Sequence, residues 1–201
     1  MTYNYNKIRN KVRDLVKKAC YANKNIYTHT VWPYHIIPVV GHSLFLAKKL
    51  GADKEAVELA AYLHDYSSLL DHNTAKDHHN HSSLLARKIL TGLKYPEEKI
   101  KEVVYCIYTH RGSIKLKRET LEAKIVASAD AMSHISDLAD MFYLTFGVHK
   151  YQTRKGVAWL KKKINQSWQK IMRAGREIIK DDYKIAMQII KKAEKRSKLN
   201  Y

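Results

Sequence analysis

A chain of 201 residues with 37 Lys and Arg against 19 Asp and Glu, a net charge of +18, is long enough to bury one real core and points to anionic partners. Its 45% hydrophobic content excludes a disordered chain, and seven Gly with three Pro are too few turn residues for a many-stranded sheet, so long helices are expected. No stretch of about 18 apolar residues occurs, no apolar signal core opens the chain, and Cys20 and Cys106 fit no disulfide or metal spacing, so a cytoplasmic protein with no membrane association is expected.

Ile8, Val12, Leu15, Val16 and Ala19 share one helical face, which predicts an amphipathic first helix. Past Trp32-Pro33 a helix is expected from about Tyr34 to Leu50, with Pro38 in its first turn and Gly51 as its stop. Asp53 suits the N-cap of the next helix, whose stripe Val57, Ala60, Ala61, His64 carries an imidazole on its apolar face. A polar segment, YSSLLDHNTAKDHHNHS, then leads to a helix of roughly Ser82 to Leu90 closed by Gly92. Pro96 and two glutamates open another, and its face of Ile100, Val103, Val104 and Ile107 reaches His110 one turn on.

One helical run is expected from about Glu119 to Phe146, with Asp130 embedded among Ile125, Val126, Ala129 and Met132, where a carboxylate needs a partner. Asp137 and Asp140 are expected to cap or pair on its surface. The tail supplies two stripes, Val157, Leu160, Ile164, Trp168, Ile171 and then Ile179, Tyr183, Ala186, Ile190, Ala193. Residues 151–201 carry 15 Lys and Arg against 4 Asp and Glu. Lysines such as 161–163 and 191–192 are expected on the wet side of these helices, and Trp159 and Trp168 in the core or at its rim.

His35, His64, Asp65, His78, His110 and Asp130 each lie at an expected helix end or on an apolar face, and imidazole with carboxylate suits one or two divalent transition-metal ions, Mn, Fe, Co, Ni or Zn alike. The adjacent pair His64-Asp65 offers two ligand types at one helix end, and a carboxylate can bridge two ions about 3.5–4 Å apart that clamp a phosphoryl group. His72, His79 and His81 crowd His78, so the choice among His78, His79 and His81 rests on register alone. Arg111, beside His110, matches a phosphate in geometry and is a candidate catalytic residue with Asp65.

The segment from His35 through IIPVVGHSLFLAKKLGADKEAVELAAYLHDYSS, followed by HHNHSSLLARKIL, VVYCIYTHRGS and LEAKIVASADAMSHI, resembles block by block the HD superfamily of metal-dependent phosphohydrolases over roughly residues 30–146. The resemblance implies an all-α fold, a single HD-domain helical bundle (31–150) with an N-terminal helix packed on it (1–30) and a basic C-terminal helical extension of the same unit (151–201). It implies that His35, His64, Asp65 and Asp130 are the core ligands of one-metal members, and that His78 and His110 are the extra pair of two-metal members. By that resemblance a metal-bound hydroxide would attack a phosphoester or phosphoanhydride of a small nucleotide-like substrate, with Asp65 bridging or anchoring the ions.

Two departures matter. Ser67-Ser68 stands where many members have Gly-Lys, which leaves Lys76 as a substitute phosphate contact, and Arg111-Gly112-Ser113 replaces the Gly-Tyr-Pro of cyclic-dinucleotide phosphodiesterases, which disfavours that substrate. Rival readings are a nucleotide-sensing HD module that does not cleave its ligand, and a nucleic-acid-binding protein acting through the basic tail. Oligomeric state is left open.

Overall fold

The helices follow the apolar stripes. The computed structural model describes residues 3–112, 114 and 116–197, and among these it is all-α with no strand. Ser113 and residues 198–201 of the expected extension lie outside the described residues. Helix α1 (Tyr5–Cys20) is capped by Asn4, whose side chain accepts from the Lys7 N–H, and buries Ile8, Val12, Val16 and Ala19. Helix α2 (Ile37–Leu50) ends where Gly51 takes φ 75°, a conformation glycine adopts without strain. Asp53 caps α3 (Lys54–Leu63) by accepting from the N–H groups of Glu55 and Ala56. These three assignments agree with the sequence expectation.

Three segments differ from it. The expected helix from Tyr34 is entered through a wide π-type turn, Trp32–Ile36, because Pro38 has no N–H for the Tyr34 carbonyl and crowds it; the N–H of Ile37 bonds Trp32 instead. The segment after His64 is less polar than its letters suggest, since the short helix α4 (Tyr66–Leu70) buries Tyr66, Ser67, Ser68 and Leu69. A 3₁₀ turn (His72–Lys76) follows, and α5 (His78–Gly92) begins four residues before the expected Ser82, with His78 in its first turn.

The third difference is the run expected from Glu119 to Phe146. It breaks at Asp137 (φ −112°, ψ 58°) into α7 (Leu121–Ser136), α8 (Leu138–Phe142) and a π-type turn, Tyr143–Val148. Ser136 donates its hydroxyl proton to the Asp137 carboxylate at 2.8 Å, with the Met132 carbonyl 3.3 Å away as the alternative acceptor, side-chain bonding of the kind that competes with helical continuation. Between α5 and α7 lies α6 (Glu97–Thr109), with Pro96 at its N-cap and both glutamates in its first turn.

Helix α7 is the axis of the bundle. Residues 125–135 are all buried, as expected of a helix covered on every side, and α2, α3, α6, α9 and α10 pack on it. Its Ala127, Ser128, Ala129, Ala131 and Ser133 are small enough for close helix approach. The tail helices α9 (Thr153–Lys170) and α10 (Arg173–Ser197) bury Val157, Leu160, Ile164 and Ile179, Ala186, Ile190 as their stripes predict. Gly156 lets the first turn of α9 close on the preceding π-type turn, since a Cβ there would come 2.3 Å from Phe146. No described helix is long and apolar enough to cross a membrane.

At the far end from the histidines, one carboxylate ties several helices together. The Glu55 Oε2 atom accepts from Tyr3 at 2.6 Å, Lys99 at 2.6 Å and Tyr95 at 3.3 Å, and Lys99 also reaches Asp53 at 3.1 Å. Burial works against the charged form of Glu55, but Lys99 and Tyr3 outweigh it and hold its pKa below the ordinary 4.5. A carboxylate whose pKa is depressed on folding stabilises above its unfolded pKa and loses that contribution as pH falls through the folded value. Glu55→Gln should therefore cost about 1 kcal/mol at pH 7. In urea unfolding curves the gap between wild type and variant should close below about pH 4.

Candidate metal centre

His64 and His110 sit where α3 and α6 end, each as the first residue past the helix, and this fixes their rings. The last carbonyls of a helix lack intrahelical donors. His64 Nδ1 donates to the Ala61 carbonyl at 2.8 Å, and His110 Nδ1 to that of Ile107 at 2.6 Å. His78 repeats the arrangement on the 3₁₀ turn, with Nδ1 2.8 Å from the Ala75 carbonyl. His35 Nδ1 lies 3.1 Å from Ser133 Oγ, whose own proton goes to the Asp130 carbonyl at 2.8 Å, so Ser133 accepts from the ring.

All four Nδ1 atoms are thus committed as donors, which leaves four Nε2 lone pairs turned inward. They meet in pairs, His35 and His64 at 3.1 Å and His78 and His110 at 3.1 Å, distances at which each pair must share a proton or a metal ion. Asp65 stands between the pairs. Its Oδ2 is 3.5 Å from His35 Nε2 and 3.4 Å from His64 Nε2; its Oδ1 is 3.2 Å from His78 Nε2 and 3.7 Å from His110 Nε2. Asp65 Oδ1 is buried without a hydrogen-bond donor, an orphan a metal would satisfy. Asp130 Oδ1 closes the first group at 3.9 Å from both His35 and His64 Nε2.

The fold therefore brings together all six residues singled out in the sequence, in groups able to hold a metal on either side of Asp65. Burial alone would raise the pKa values of both carboxylates; His64 and His78 hold Asp65 well below the usual range, and Lys170 and His134 do the same for Asp130. Burial disfavours charge on His64, yet Asp65 and Asp130 lift its pKa to about 9, whereas burial and the neighbouring imidazoles push His110 well down. Of the clustered histidines, His78 is the one whose ring faces Asp65. His79 is buried beside Asp77, and His81 and His72 are exposed, His72 against Tyr27.

Ser67, the departure from Gly-Lys, is buried against α5: its N–H bonds Ser82 Oγ at 3.1 Å and its hydroxyl bonds the His78 carbonyl at 3.3 Å, which steadies the turn bearing His78. A cavity of about 350 Å³ opens over the cluster and is lined by Ser68, Arg111 and Asp140 among others. Arg111 donates to the Lys76 carbonyl, while the Lys76 side chain is exposed and is not part of the cavity wall. Asp140 faces the cavity rather than the outer surface, because the break at Asp137 turns α8 inward, and burial raises its pKa.

Residues the sequence did not single out complete the wall. His134, one turn past Asp130, sets Nε2 3.5 Å from Asp130 Oδ1 and stacks on His35 with ring centroids 5.7 Å apart. From α9, Lys170 reaches Asp130 Oδ2 at 2.5 Å and the His110 carbonyl at 3.3 Å, while Trp159 and Lys163 face the cavity, correcting the expectation that lysines 161–163 all lie on a wet face. Arg118 braces the other side, donating to the Thr109 and Arg111 carbonyls at the end of α6. The spacing of His134 from Asp130 was the one available signal; the tail lysines gave none.

The HD domain family matches residues 34–135, and the chain belongs to that family, whose members are generally metal-dependent hydrolases. Among solved structures it is similar to the Lin1889 protein of Listeria innocua (22% identity, 98% of this chain and 99% of the other, TM-score 0.70) and to YpgQ of Bacillus subtilis (18%, 96% of each, TM-score 0.71). YpgQ has also been determined in complex with ADP, in a form that resembles this chain with TM-score 0.65. A predicted HD superfamily hydrolase from an uncultured Thermotogales bacterium matches at 17% identity over 91% of this chain and 89% of its own, with TM-score 0.62. No curated protein matches the chain.

Lys170 and Asp130 are each 9% exposed, so their pair is a buried one. Removing a single partner of such a pair leaves a charge without compensation. Lys170→Met should lower the stability of the metal-free protein by about 3 kcal/mol, read as a fall in its denaturant midpoint. A change under about 0.5 kcal/mol would mean that the imidazoles around Asp130, His64 among them, balance its charge without Lys170.

Proposed function

We propose that the protein is a metal-dependent phosphohydrolase acting on a small phosphorylated, nucleotide-like substrate at the cluster around Asp65. The observation that carries this reading is the arrangement of four imidazole Nε2 atoms in two pairs, one against each oxygen of Asp65. His35, His64, Asp65 and Asp130 would hold one ion, and His78 and His110 with the other Asp65 oxygen a second. Mn, Fe, Co, Ni and Zn all suit this donor set. When bound, such ions lower the pKa of water and neutralise charge developing on phosphoryl oxygens.

The chain's own groups do the rest. The cavity admits the substrate from one side of the cluster, and Arg111, fixed through the Lys76 carbonyl, presents a guanidinium to a phosphate there. Ser133, Ala61, Ala75 and Ile107 hold the rings so that no imidazole reorients as charge builds up. Aromatic side chains at the cavity suit a nucleotide base, and the ADP complex of Bacillus subtilis YpgQ, a similar fold, supports a nucleotide ligand. The same reading takes residues 1–30, 31–150 and 151–201 as one unit, since α1, α9 and α10 all close on the bundle.

Metal analysis of the purified protein should find up to two divalent transition ions per chain. Hydrolysis of a panel of phosphoesters and nucleotides should fall by at least about a thousandfold in Asp65→Ala. Activity that survives in the variant, or a wild type that binds no metal on reconstitution, rules the reading out.

A further inference from the structure

Helix α10 is apolar on two neighbouring faces. Ile179, Ala186 and Ile190, with Tyr183 and Ala193 beside them, face the core. One residue earlier each time runs a second stripe, Ile178, Asp182, Ile185, Ile189, Lys192 and Arg196, at spacings of four, three, four, three and four, and all six are exposed. Isoleucine is a poorer helix former than Lys, Glu or Ala, so helix propensity gives no reason to set Ile178, Ile185 and Ile189 in water at 40%, 56% and 46% exposure. A repeat that averages 3.5 residues is that of a helix packed along this stripe by another helix. The apolar surface continues onto α2. Lys49 pairs with Glu177 at 3.7 Å and Asp182 acts on the His42 ring, so Phe45, between them on that face of α2 and 53% exposed, lies at the seam of the two helices.

The order of residues along the stripe says which helix. Reversed, the stripe is complementary to itself. A two-fold axis crossing α10 level with Met187 sets Ile185 against Ile189 of the partner subunit and Asp182 against Lys192 of the partner subunit, each pair occurring twice. The exposed flank repeats the pattern, since Asp181, Gln188 and Lys195 turn Asp181 towards Lys195 of the partner subunit. Beyond the longer-range effect of Asp182 on His42 and Asp137, Asp182 and Lys192 form no hydrogen bond or ion pair among the described residues. A chain of net charge +18 repels its own copy, so self-association needs local complementarity of this kind. Parallel pairing would set Asp182 against Asp182 and Lys192 against Lys192. An acidic partner would suit Lys192 and Arg196 but meet Asp181 and Asp182 at the other end.

We propose that the outer stripe of α10 binds a second copy of this chain: the two helices pair antiparallel through Ile185 and Ile189, with Asp182 of each copy against Lys192 of the other, as a two-fold dimer. The backbone at Ile179 (φ −105°, ψ 20°) kinks α10 just before the acidic end of the contact, which leaves residues 180–196 as a straight rod of about 25 Å to carry it. One helix pair makes a small interface, so the dimer is of the weak, reversible class. The proposal stands apart from the phosphohydrolase reading, since none of these residues lines the cavity.

The test is sedimentation velocity of the full chain over a dilution series, at low and high salt, for wild type, I185E, I189E, D182K, K192D and the double variant D182K/K192D. Wild type should dimerise with a dissociation constant in the micromolar range. I185E and I189E, which put a carboxylate into the contact twice over, should weaken the dimer by at least about a hundredfold. D182K or K192D alone should weaken it by about tenfold at low salt and by less at high salt. The double variant, which restores opposite charges in the same antiparallel register, should regain most of that loss. All four positions are exposed, so the thermal midpoint of dilute protein should stay close to that of wild type; I185K and I189K serve the same comparison should a glutamate unfold α10. A wild type that is still monomeric at about 0.5 mM overturns the proposal, as does a dimer that the Ile185 and Ile189 variants leave intact. Single reversals that the double variant does not rescue overturn the antiparallel pairing, and the proposal with it.

Discussion

A single carboxylate faces two pairs of imidazoles, and much of the architecture answers to that contact. Asp65 presents Oδ2 to His35 and His64 and Oδ1 to His78 and His110, and all four rings come from different segments of the chain. Gathering carboxylates and imidazoles inside a helical bundle removes their hydration, so each must find a compensating charge or hydrogen bond. The bundle meets that demand with its helix ends. Where α3 and α6 stop, their last carbonyls lack helical donors, and those carbonyls take the Nδ1 protons of His64 and His110. Helix termination, ring orientation and inward-facing lone pairs are one arrangement.

The second half of the site comes from the tail. Residues 34–135 carry the family match and supply the six-residue cluster, while α9 supplies the opposing wall with Lys170 against Asp130 and Lys163 over the cavity. Solved structures of similar fold extend over nearly all of this chain, so helices equivalent in place to α9 and α10 belong to the architecture they share. The basic tail is accordingly not one uniform surface. Lys161 pairs with Glu194 on α10, Lys162 is exposed, and Lys163 faces the cavity, three neighbouring lysines in three environments.

Much of the fold was legible because the signals were local. Asn4 and Asp53 as caps, Gly51 as a left-handed stop and the stripes of α1, α9 and α10 each depend on a few neighbouring residues. The misjudged places were those where a side chain or a proline competes with the helix over one turn: the π-type turn before Pro38, the break at Ser136-Asp137, and the early start of α5. Each of these sits beside the cluster. The break at Asp137 is what turns Asp140 and Tyr143 towards the cavity.

By itself the sequence determined that the chain is helical and that His35, His64, Asp65, His78, His110 and Asp130 are the residues to watch, because an imidazole or carboxylate on an apolar helical face needs a partner wherever the chain folds. Only the tertiary structure decided that Asp65 lies between two imidazole pairs, that His78 rather than His79 or His81 joins them, and that Lys163 and Lys170 belong to the same cavity. The reason is physical. A lysine on an amphipathic helix reads alike whether it meets water or a carboxylate, and which it meets depends on how α9 packs against α7.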